Sequence, residues 1–323
     1  MKQKINLKNT KEIAEKLLKE KSVAVIFHIR PDGDAIGSAL ALYFGLNKIG
    51  IKADVFCADD IPFKFNFIPN ITCVKRNLSG EYSALVALDC GEINRLGEFA
   101  ERYLKHKNTY NIDHHLSNDK YGDINYVKSN PSNCENVYQI LKELNAPIDK
   151  DIANLLYMGV MTDTGGFRHK GITGETYKIA GELVSLGADP TTIYYNCFSK
   201  QTKNRAKLFG LVMKKIRYFL DGKLAIASVL ESDIEESNAH PSETEGFIDF
   251  IMGIDSVEVG VCLLETAKNK FKISFRGKDT DVNLIAGYFG GGGHKFASGC
   301  QIQGEYEEVI DRLAFAVSRE LKD

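Results

Sequence analysis

The stretch VAVIFHIRPDGDAIGSALALYFGLNKIG, at residues 23–50, sets the fold of the N-terminal half of the chain. Its first five residues are short, apolar and rich in β-formers, as buried parallel strands are. A helical pattern follows from Ala35 and ends at Gly50, a residue type that suits the position after a helix. A strand that runs through a short loop into a helix is the first half of a βαβ unit.

Two more strands are predicted further along this half of the chain. ALVAL at 84–88 and NTYNI at 108–112 are again short and apolar, and helical patterns lie between the strands. The pattern DIANLLYMGVMTDTG at 151–165 predicts another buried helix, for which Asp151 is the expected N-cap. The alternation favours right-handed βαβ units and a sheet covered by helices.

The C-terminal half has a different pattern. From about 177 to 215 the sequence is helical and increasingly polar, which predicts a connecting helix. RYFLDGKLAIASVL, at 217–230, contains an Asp-Gly pair of the kind found in β-hairpin turns. Another strand pair is predicted at 257–277, and helices are predicted around 242–253, 281–289 and 305–321.

These patterns predict an α/β protein of two domains. An N-terminal domain with a mainly parallel sheet is expected at 1–190, and a helical linker at 191–215 joins it to a smaller α+β domain at 216–323. The first 21 residues, MKQKINLKNTKEIAEKLLKEK, are expected to form an amphipathic helix.

Carboxylate and imidazole side chains follow the predicted strands and one helix of the first domain. They are His28, Asp32 and Asp34 after the first strand, Asp89 after the second, Asp113, His114 and His115 after the third, and Asp163 near the end of the helix. Ligands of open α/β sheets bind beyond the carboxyl ends of the strands, so these side chains are expected to meet in one crevice. Clustered aspartates repel one another, and divalent cations relieve that repulsion. Two such ions can activate water against a phosphoryl group.

Each motif taken singly has a simpler structural explanation. A DxD segment is commonly a turn or a cap, and Asp34 could cap the helix that begins at Ala35. Adjacent histidines are mostly coincidental. It is the combination, in order along the chain and at matching places in the fold, that favours a metal site.

At these residues the sequence resembles the DHH family of phosphoesterases. The motifs that carry the resemblance are HIRPDGDAIGS, LDCG, DHH, TDTGGFR and, in the second domain, FGGGGHKFASG. The family includes RecJ-like nucleases, family II inorganic pyrophosphatases and small oligoribonucleases that also dephosphorylate pAp. Size and arrangement are most similar to the last subgroup, which is also called nanoRNase/pAp phosphatase.

The resemblance implies a ligand set for two divalent ions. One ion would be held by His28, Asp32 and Asp89, and the other by Asp34, Asp89, His114 and Asp163. Asp89 would bridge them, His115 would stabilise phosphate or transfer a proton, and Asp113 would orient the DHH segment. Mn²⁺ is the expected metal, with Mg²⁺ and Co²⁺ as alternatives.

Substrate-binding residues are predicted in both domains. Gly291, Gly292 and Gly293 would let a ligand approach the backbone, and Arg276 would contact phosphate. His294 would contact a phosphate or a base, and Arg168 would point at the cleft. The alternative for the glycine run is a flexible turn. Ser132 and Asn133 could also help to hold a phosphate, whereas Tyr194 and Tyr195 are interpreted as packing or domain-contact residues rather than base-stacking platforms.

Composition limits the class of ligand and the cellular compartment. The net charge of −2 disfavours tracking of long nucleic acid, which needs a strong positive excess. Seven scattered cysteines, none in a CxxC motif, favour reduced thiols and a cytoplasmic protein. No signal peptide or transmembrane segment is predicted.

The expected activity is hydrolysis of short oligoribonucleotides, including pApA, to mononucleotides, together with dephosphorylation of pAp to AMP. The substrate would enter between the domains, and a homodimer is one expected assembly. The alternatives are a phosphodiesterase specific for cyclic or linear dinucleotides and a non-catalytic nucleotide sensor. A family II pyrophosphatase is disfavoured because the second domain lacks a basic Ser-Arg-Lys-Lys-like segment.

Overall fold

The computed structural model describes residues 4–321, which form two units. The first unit ends at Lys200 and the second begins at Gln201, inside the segment predicted as a linker. The linker boundaries themselves stay a prediction. Within the described residues, every helix is too short or too polar to cross a membrane.

The first unit contains a parallel sheet, which confirms the predicted α/β class. Its strands are β1 (Ile5–Asn6), β2 (Ser22–Phe27), β3 (Lys52–Phe56), β4 (Ala84–Leu88), β5 (Thr109–Asp113) and β6 (Ile124–Val127). Their order across the sheet is β1-β6-β5-β4-β2-β3. The predicted strands β2, β4 and β5 are neighbours at its centre, while β1, β3 and β6 were not predicted.

Helices cover both faces of this sheet, and their sequences carry recognisable caps. They are α1 (Thr10–Leu17), α2 (Gly33–Lys48), α3 (Ala100–Lys105), α4 (Asn133–Glu143), α5 (Lys150–Asp163), α6 (Gly174–Ser185) and α7 (Pro190–Tyr194). The predicted N-cap of α5 is wrong by two residues, because the Asp149 carboxylate accepts from the Ile152 N–H. The N-terminal helix prediction is also too long: α1 begins at Thr10, Ile5–Asn6 are a strand, and residues 1–3 lie outside the described residues.

The segment expected to be one connecting helix is several shorter ones. A π-helical turn, Tyr195–Ser199, follows α7, and α8 (Lys203–Met213) begins only after a break. The break has a local cause, because the Thr202 hydroxyl caps the new helix by accepting from the Arg205 N–H.

The second unit contains a mixed sheet with helices. Its strands are β7 (Arg217–Phe219), β8 (Leu224–Val229), β9 (Val259–Ala267), β10 (Lys270–Gly277), β11 (Gly292–His294) and β12 (Ala297–Gln303), in the order β11-β12-β10-β9-β8-β7. Its helices after α8 are α9 (Glu231–Ser237), α10 (Phe247–Met252), α11 (Val282–Gly287) and α12 (Tyr306–Glu320). The predicted hairpin β7–β8 and strand pair β9–β10 are both confirmed as antiparallel.

Candidate metal centre and substrate-binding residues

Three neighbouring strands deliver the central side chains of the candidate site. β2 is paired with β4 and β4 with β5, and Phe27, Leu88 and Ile112 lie in register at their ends. The residues that follow directly are His28, Asp89 and Asp113. These side chains therefore meet at the carboxyl edge of the sheet, as the sequence pattern predicts.

Helices α2 and α5 bring two more carboxylates to the same edge. Asp34 lies in the first turn of α2, and Asp163 is the last residue of α5. The two helices approach each other closely, since a Cβ atom on Gly37 would lie 2.4 Å from the Leu155 carbonyl oxygen. This close packing sets the separation between the start of one helix and the end of the other.

One cluster of candidate ligands consists of His28, Asp32 and Asp89. The Nε2 atom of His28 lies 3.6 Å from Asp32 Oδ2 and 3.6 Å from Asp89 Oδ2. Ligands bound about 2.1 Å from one metal ion lie roughly 3.0–3.4 Å from each other. The cluster is close to that spacing, so a small contraction would place all three around one ion.

A second cluster consists of Asp34, His114 and Asp163. His114 Nε2 lies 3.9 Å from Asp34 Oδ2, 3.6 Å from Asp163 Oδ2 and 3.2 Å from Asp89 Oδ1. Asp89 therefore turns one oxygen toward each cluster. This is the arrangement of a carboxylate that bridges two metal ions.

Asp89 also shows that the site fits a cation. Its side chain is 2% exposed, and no donor among residues 4–321 reaches Oδ1 with hydrogen-bonding geometry. A buried carboxylate oxygen without a donor is costly unless a positive charge lies beside it. The backbone of Asp89 has a φ of +52°, a strained left-handed conformation of the kind that concentrates at functional sites.

Burial and neighbouring charges change the pKa values of the carboxylates in the second cluster. Burial raises the pKa of Asp34 to about 6, and the nearby Asp89 charge adds to this effect. Burial also raises the pKa of Asp163, with a further contribution from Asp34. Carboxylates that resist ionisation together are a signature of a site that a cation completes.

The pKa values of the two candidate imidazole ligands are also raised, which for histidine favours the charged form. Burial alone would lower the pKa of His28, but Asp32 and Asp89 outweigh it and raise the pKa to about 10. His114 behaves in the same way, because Asp89, Asp34 and Asp163 raise its pKa to about 11 despite burial. Without metal, two protonated imidazoles therefore balance the carboxylates.

Backbone carbonyls hold both imidazoles with Nε2 toward the cluster. His28 Nδ1 lies 2.8 Å from the Ile29 carbonyl oxygen, and His114 Nδ1 lies 2.9 Å from that of Asn130. Donation from His114 Nδ1 to its carbonyl leaves the Nε2 of His114 free to bind a metal, whereas His28 Nδ1 has both a carbonyl acceptor and an arginine donor beside it. An Arg95 nitrogen also lies 2.9 Å from His28 Nδ1, a contact that no sequence pattern indicated.

Asp113 and His115 form a pair beside the clusters. Asp113 is fully buried, and its Oδ1 lies 2.8 Å from His115 Nδ1. The second oxygen, Oδ2, accepts from Asn118, a residue that sequence reasoning missed. The hydrogen bond to Asp113 raises the pKa of His115, whose side chain is still 36% exposed. His115 can therefore present a proton at its exposed side.

Ser132 and Asn133 hold Asp34 in the structure. The Ser132 hydroxyl donates to Asp34 Oδ1 at 2.8 Å, and the backbone N–H groups of Asn133 and Cys134 donate at 2.6 and 2.9 Å. The expectation that Ser132 and Asn133 hold a phosphate is therefore replaced by a role in orienting Asp34. The start of α4 supplies both N–H groups, which also favours the negative charge.

In the second unit, Arg276 and His294 share one row of the sheet. Ala297 of β12 lies opposite Arg276 of β10 on one side and opposite His294 of β11 on the other. Side chains at paired positions point to the same face, so these two lie two strand spacings apart, about 9–10 Å. His294 is exposed and Arg276 is partly exposed.

Close contacts with the backbone require glycine at two positions of the glycine run. Cβ atoms on Gly291 and Gly293 would lie 2.2 Å and 2.7 Å from the carbonyl oxygens of Gly299 and Ala297. Gly292 has room around it, and with Gly293 it belongs to the edge strand β11 rather than to a loop. A ligand role for these three glycines stays a prediction.

Arg168 lies in the first unit, after the turn that follows Asp163. Its Nε donates to the Gly165 carbonyl oxygen at 2.8 Å, and the residue is exposed. Gly165, Gly166 and Phe167 of this turn all have φ between 60° and 72°, which glycine adopts freely and which strains only Phe167. A bulky residue in this conformation costs about 1–3 kcal/mol.

Each of the two units is matched by a model of a known protein family. A model of the DHH family, N-terminal domain, matches residues 22–160, and a model of the DHHA1 domain matches residues 221–323. The bifunctional oligoribonuclease and PAP phosphatase NrnA of Thermus thermophilus is 28% identical, over 94% of this chain and 91% of that protein. The protein of the same name from Bacillus subtilis is 26% identical, over 85% and 87%.

A solved structure agrees with the fold over almost its full length. It is the crystal structure of an exopolyphosphatase-related protein from Bacteroides fragilis, with a TM-score of 0.87 and 26% sequence identity. The match covers 96% of this chain and 95% of that chain.

Proposed function

Since this chain belongs to the DHH family, with a DHH domain followed by a DHHA1 domain, we propose that it is a two-metal phosphoesterase acting on small nucleotides. Its reactions are hydrolysis of short oligoribonucleotides, including pApA, to mononucleotides, and dephosphorylation of pAp to AMP. The names of its relatives from Thermus thermophilus and Bacillus subtilis support both activities.

The position of Asp89 carries the proposal. It is a buried carboxylate with one oxygen toward each ligand cluster, and within residues 4–321 its Oδ1 makes no well-directed hydrogen bond, although His114 Nε2 lies 3.2 Å away. The proposed ligands are His28, Asp32 and Asp89 for one ion and Asp34, Asp89, His114 and Asp163 for the other. Two divalent ions held there would activate a water molecule and neutralise charge on the phosphoryl group. Mn²⁺ is our proposed metal, because it accepts mixed carboxylate and imidazole ligands.

The chain's own residues supply the remaining chemistry. His115, oriented by Asp113, is proposed to stabilise the phosphate or to give a proton to the leaving oxygen. Arg168, Arg276, His294 and the glycines 291–293 are proposed to bind the substrate, Arg276 through a bidentate contact to phosphate.

The setting and assembly are also proposals. All seven cysteines are free thiols in the described structure, which supports a reducing, cytoplasmic location. A homodimer stays a prediction.

Turnover of pApA and pAp by the purified protein in Mn²⁺ tests the function. We expect AMP release from both substrates and its loss on chelation. Pyrophosphate and a cyclic dinucleotide serve as competing substrates. Rapid hydrolysis of pyrophosphate alone would contradict the proposal, and nucleotide binding without turnover would indicate a sensor.

A further inference from the structure

Two pairs of stacked aromatic rings lie next to the turn that follows Asp163. The rings of Phe167 and Tyr177 have centroids 5.6 Å apart and planes 24° from parallel. Those of Tyr194 and Phe198 have centroids 5.3 Å apart and planes 27° from parallel. In each pair a phenylalanine is the inner ring and a tyrosine the outer one.

The core accounts for the inner rings but not for the outer ones. Phe167 and Phe198 pack against the core of the first unit, whereas Tyr177 is 57% exposed and Tyr194 is 50% exposed. Within residues 4–321, neither tyrosine hydroxyl has a hydrogen-bond partner that would explain its position. The sequence favours packing for Tyr194, yet half of its side-chain surface is exposed to water. A ring that served only for packing would stabilise the fold far more if it were buried.

Both pairs are close to the candidate metal ligands. Phe167 follows Asp163 by four residues, and Asp163 lies 3.6 Å from His114. A Cβ atom on Gly166 would lie 3.8 Å from Cε2 of Tyr194. Tyr194 therefore lies beside this turn at Gly166, and Tyr177 stacks on Phe167 of the same turn. The π-helical turn Tyr195–Ser199 directly after Tyr194 is a further irregularity of the kind that is frequent at functional sites.

We propose that Tyr177 and Tyr194 are stacking platforms for nucleobases next to the phosphate that is hydrolysed. This inference rests on the proposed function, because that phosphate has to lie at the cluster containing Asp163. The inner phenylalanines fix the tyrosine rings before the substrate binds, which limits the entropy lost on binding. Stacking tolerates every base, so the platforms select nucleotides over other phosphate esters without selecting one base.

Substitutions that remove or keep the aromatic face test the role. Tyr177→Leu and Tyr194→Leu are expected to lower kcat/KM for pApA by about 5- to 100-fold each, mainly through KM. Tyr177→Phe and Tyr194→Phe keep the ring and should retain wild-type values. Tyr195→Leu is the matched control, since Tyr195 is 55% exposed but belongs to neither stacked pair.

An abasic analogue of pApA separates stacking from a structural effect. The wild-type enzyme should hydrolyse an analogue without bases about as poorly as the leucine variants hydrolyse pApA, and the variants should lose little more on that analogue. The stacking role alone would be overturned if both leucine variants kept the wild-type kcat/KM for pApA. It would also be overturned if the leucine substitutions lowered kcat/KM for the abasic analogue by the same factor as for pApA. Failure of the wild-type enzyme to hydrolyse pApA would instead overturn the proposed function, and the stacking role with it.

Discussion

Asp34 is 1% exposed, so groups of the protein have to stabilise its charge. The Ser132 hydroxyl and two N–H groups of α4 do this, and they also fix which lone pairs face the cluster. Similar support holds His114 through Asn130 and Asp113 through Asn118. The candidate centre therefore depends on a layer of supporting groups behind its ligands.

Removing the Ser132 hydroxyl should weaken metal binding while the fold is kept. Ser132→Ala takes one of three donors from Asp34, and losses of this kind lower metal affinity about 10- to 100-fold. Calorimetric titration with Mn²⁺ measures the change. The matched control is Ser185→Ala, because the exposed Ser185 hydroxyl only donates to the Gly181 carbonyl. Unchanged affinity in Ser132→Ala would contradict this role.

Metal affinity should rise with pH because the imidazole ligands have to lose protons. The pKa values of His28 and His114 are raised to about 10 and 11, so both are protonated at pH 7 without metal. Binding must release these protons, and apparent affinity should increase from about pH 6 to pH 9. Titration in buffers of different ionisation enthalpy counts the protons. No proton release at pH 7 would contradict the ligand assignment.

The clustering of the candidate ligands could be predicted from sequence, but most of their supporting groups could not. HIRPDGD and DHH place several ligand types within a few consecutive residues, directly after apolar strands. Ser132 and Cys134, by contrast, lie about 100 residues from Asp34 along the chain. The sequence indicates Ser132 only as a polar residue before a helix, and the fold shows that its partner is a carboxylate.

At the scale of secondary-structure elements, close packing of α2, α4 and α5 positions the carboxylates. Gly159 of α5 lies where a Cβ atom would be 2.2 Å from Cys134 Sγ and 2.7 Å from Asp34 Oδ1. A glycine at this position lets α5 approach both α4 and the Asp34 side chain. The contact of Gly159 with Cys134 and Asp34 therefore belongs both to the helix interface and to the candidate metal site.

Gly159→Ala should therefore damage stability and activity together. Overpacking at such a site costs about 1–3 kcal/mol of unfolding free energy, and the displaced Asp34 should lower turnover of pApA. Urea unfolding and steady-state kinetics measure the two effects. Gly181→Ala is the matched control, since no atom lies within 4 Å of a Cβ placed there. A stable, fully active Gly159→Ala variant would contradict the packing argument.

The elements that sequence predicted are those with strong local patterns. β2, β4 and β5 are continuous apolar runs, and the β7–β8 hairpin has an Asp-Gly turn. The short strands β1 and β6 have two and four residues, too few for a pattern. The structural alternative for the glycine run is a flexible turn, whereas Gly292–His294 pairs as an edge strand because β12 offers it a partner.

At the scale of the whole molecule, the proposed metal ions would stabilise the first unit. Asp89, Asp34 and Asp163 are buried or partly buried carboxylates from different elements, and cations would link those elements. The α/β class and the change of pattern in the C-terminal half followed from sequence. The position of the division at Lys200 did not, because helical patterns continue across it.

Mn²⁺ should raise the melting temperature of the protein. At 100 times Kd, a ligand that binds only the native state adds about 2.7 kcal/mol, which corresponds to roughly 5–10 °C for a domain of this size. Differential scanning calorimetry with and without a chelator measures the shift. Asp89→Asn should remove most of it, whereas Asp119→Asn, at an exposed aspartate outside the clusters, should keep it. An equal shift in both variants would contradict binding at Asp89.

The central claim, that Asp89 bridges two ions, is tested most directly by anomalous diffraction at the manganese edge from crystals of the Mn²⁺-loaded protein. We expect two peaks about 3.5–4 Å apart. One should lie beside His28 and Asp32 and the other beside Asp34, His114 and Asp163, with Asp89 between them. A single peak, or peaks away from Asp89, would contradict it.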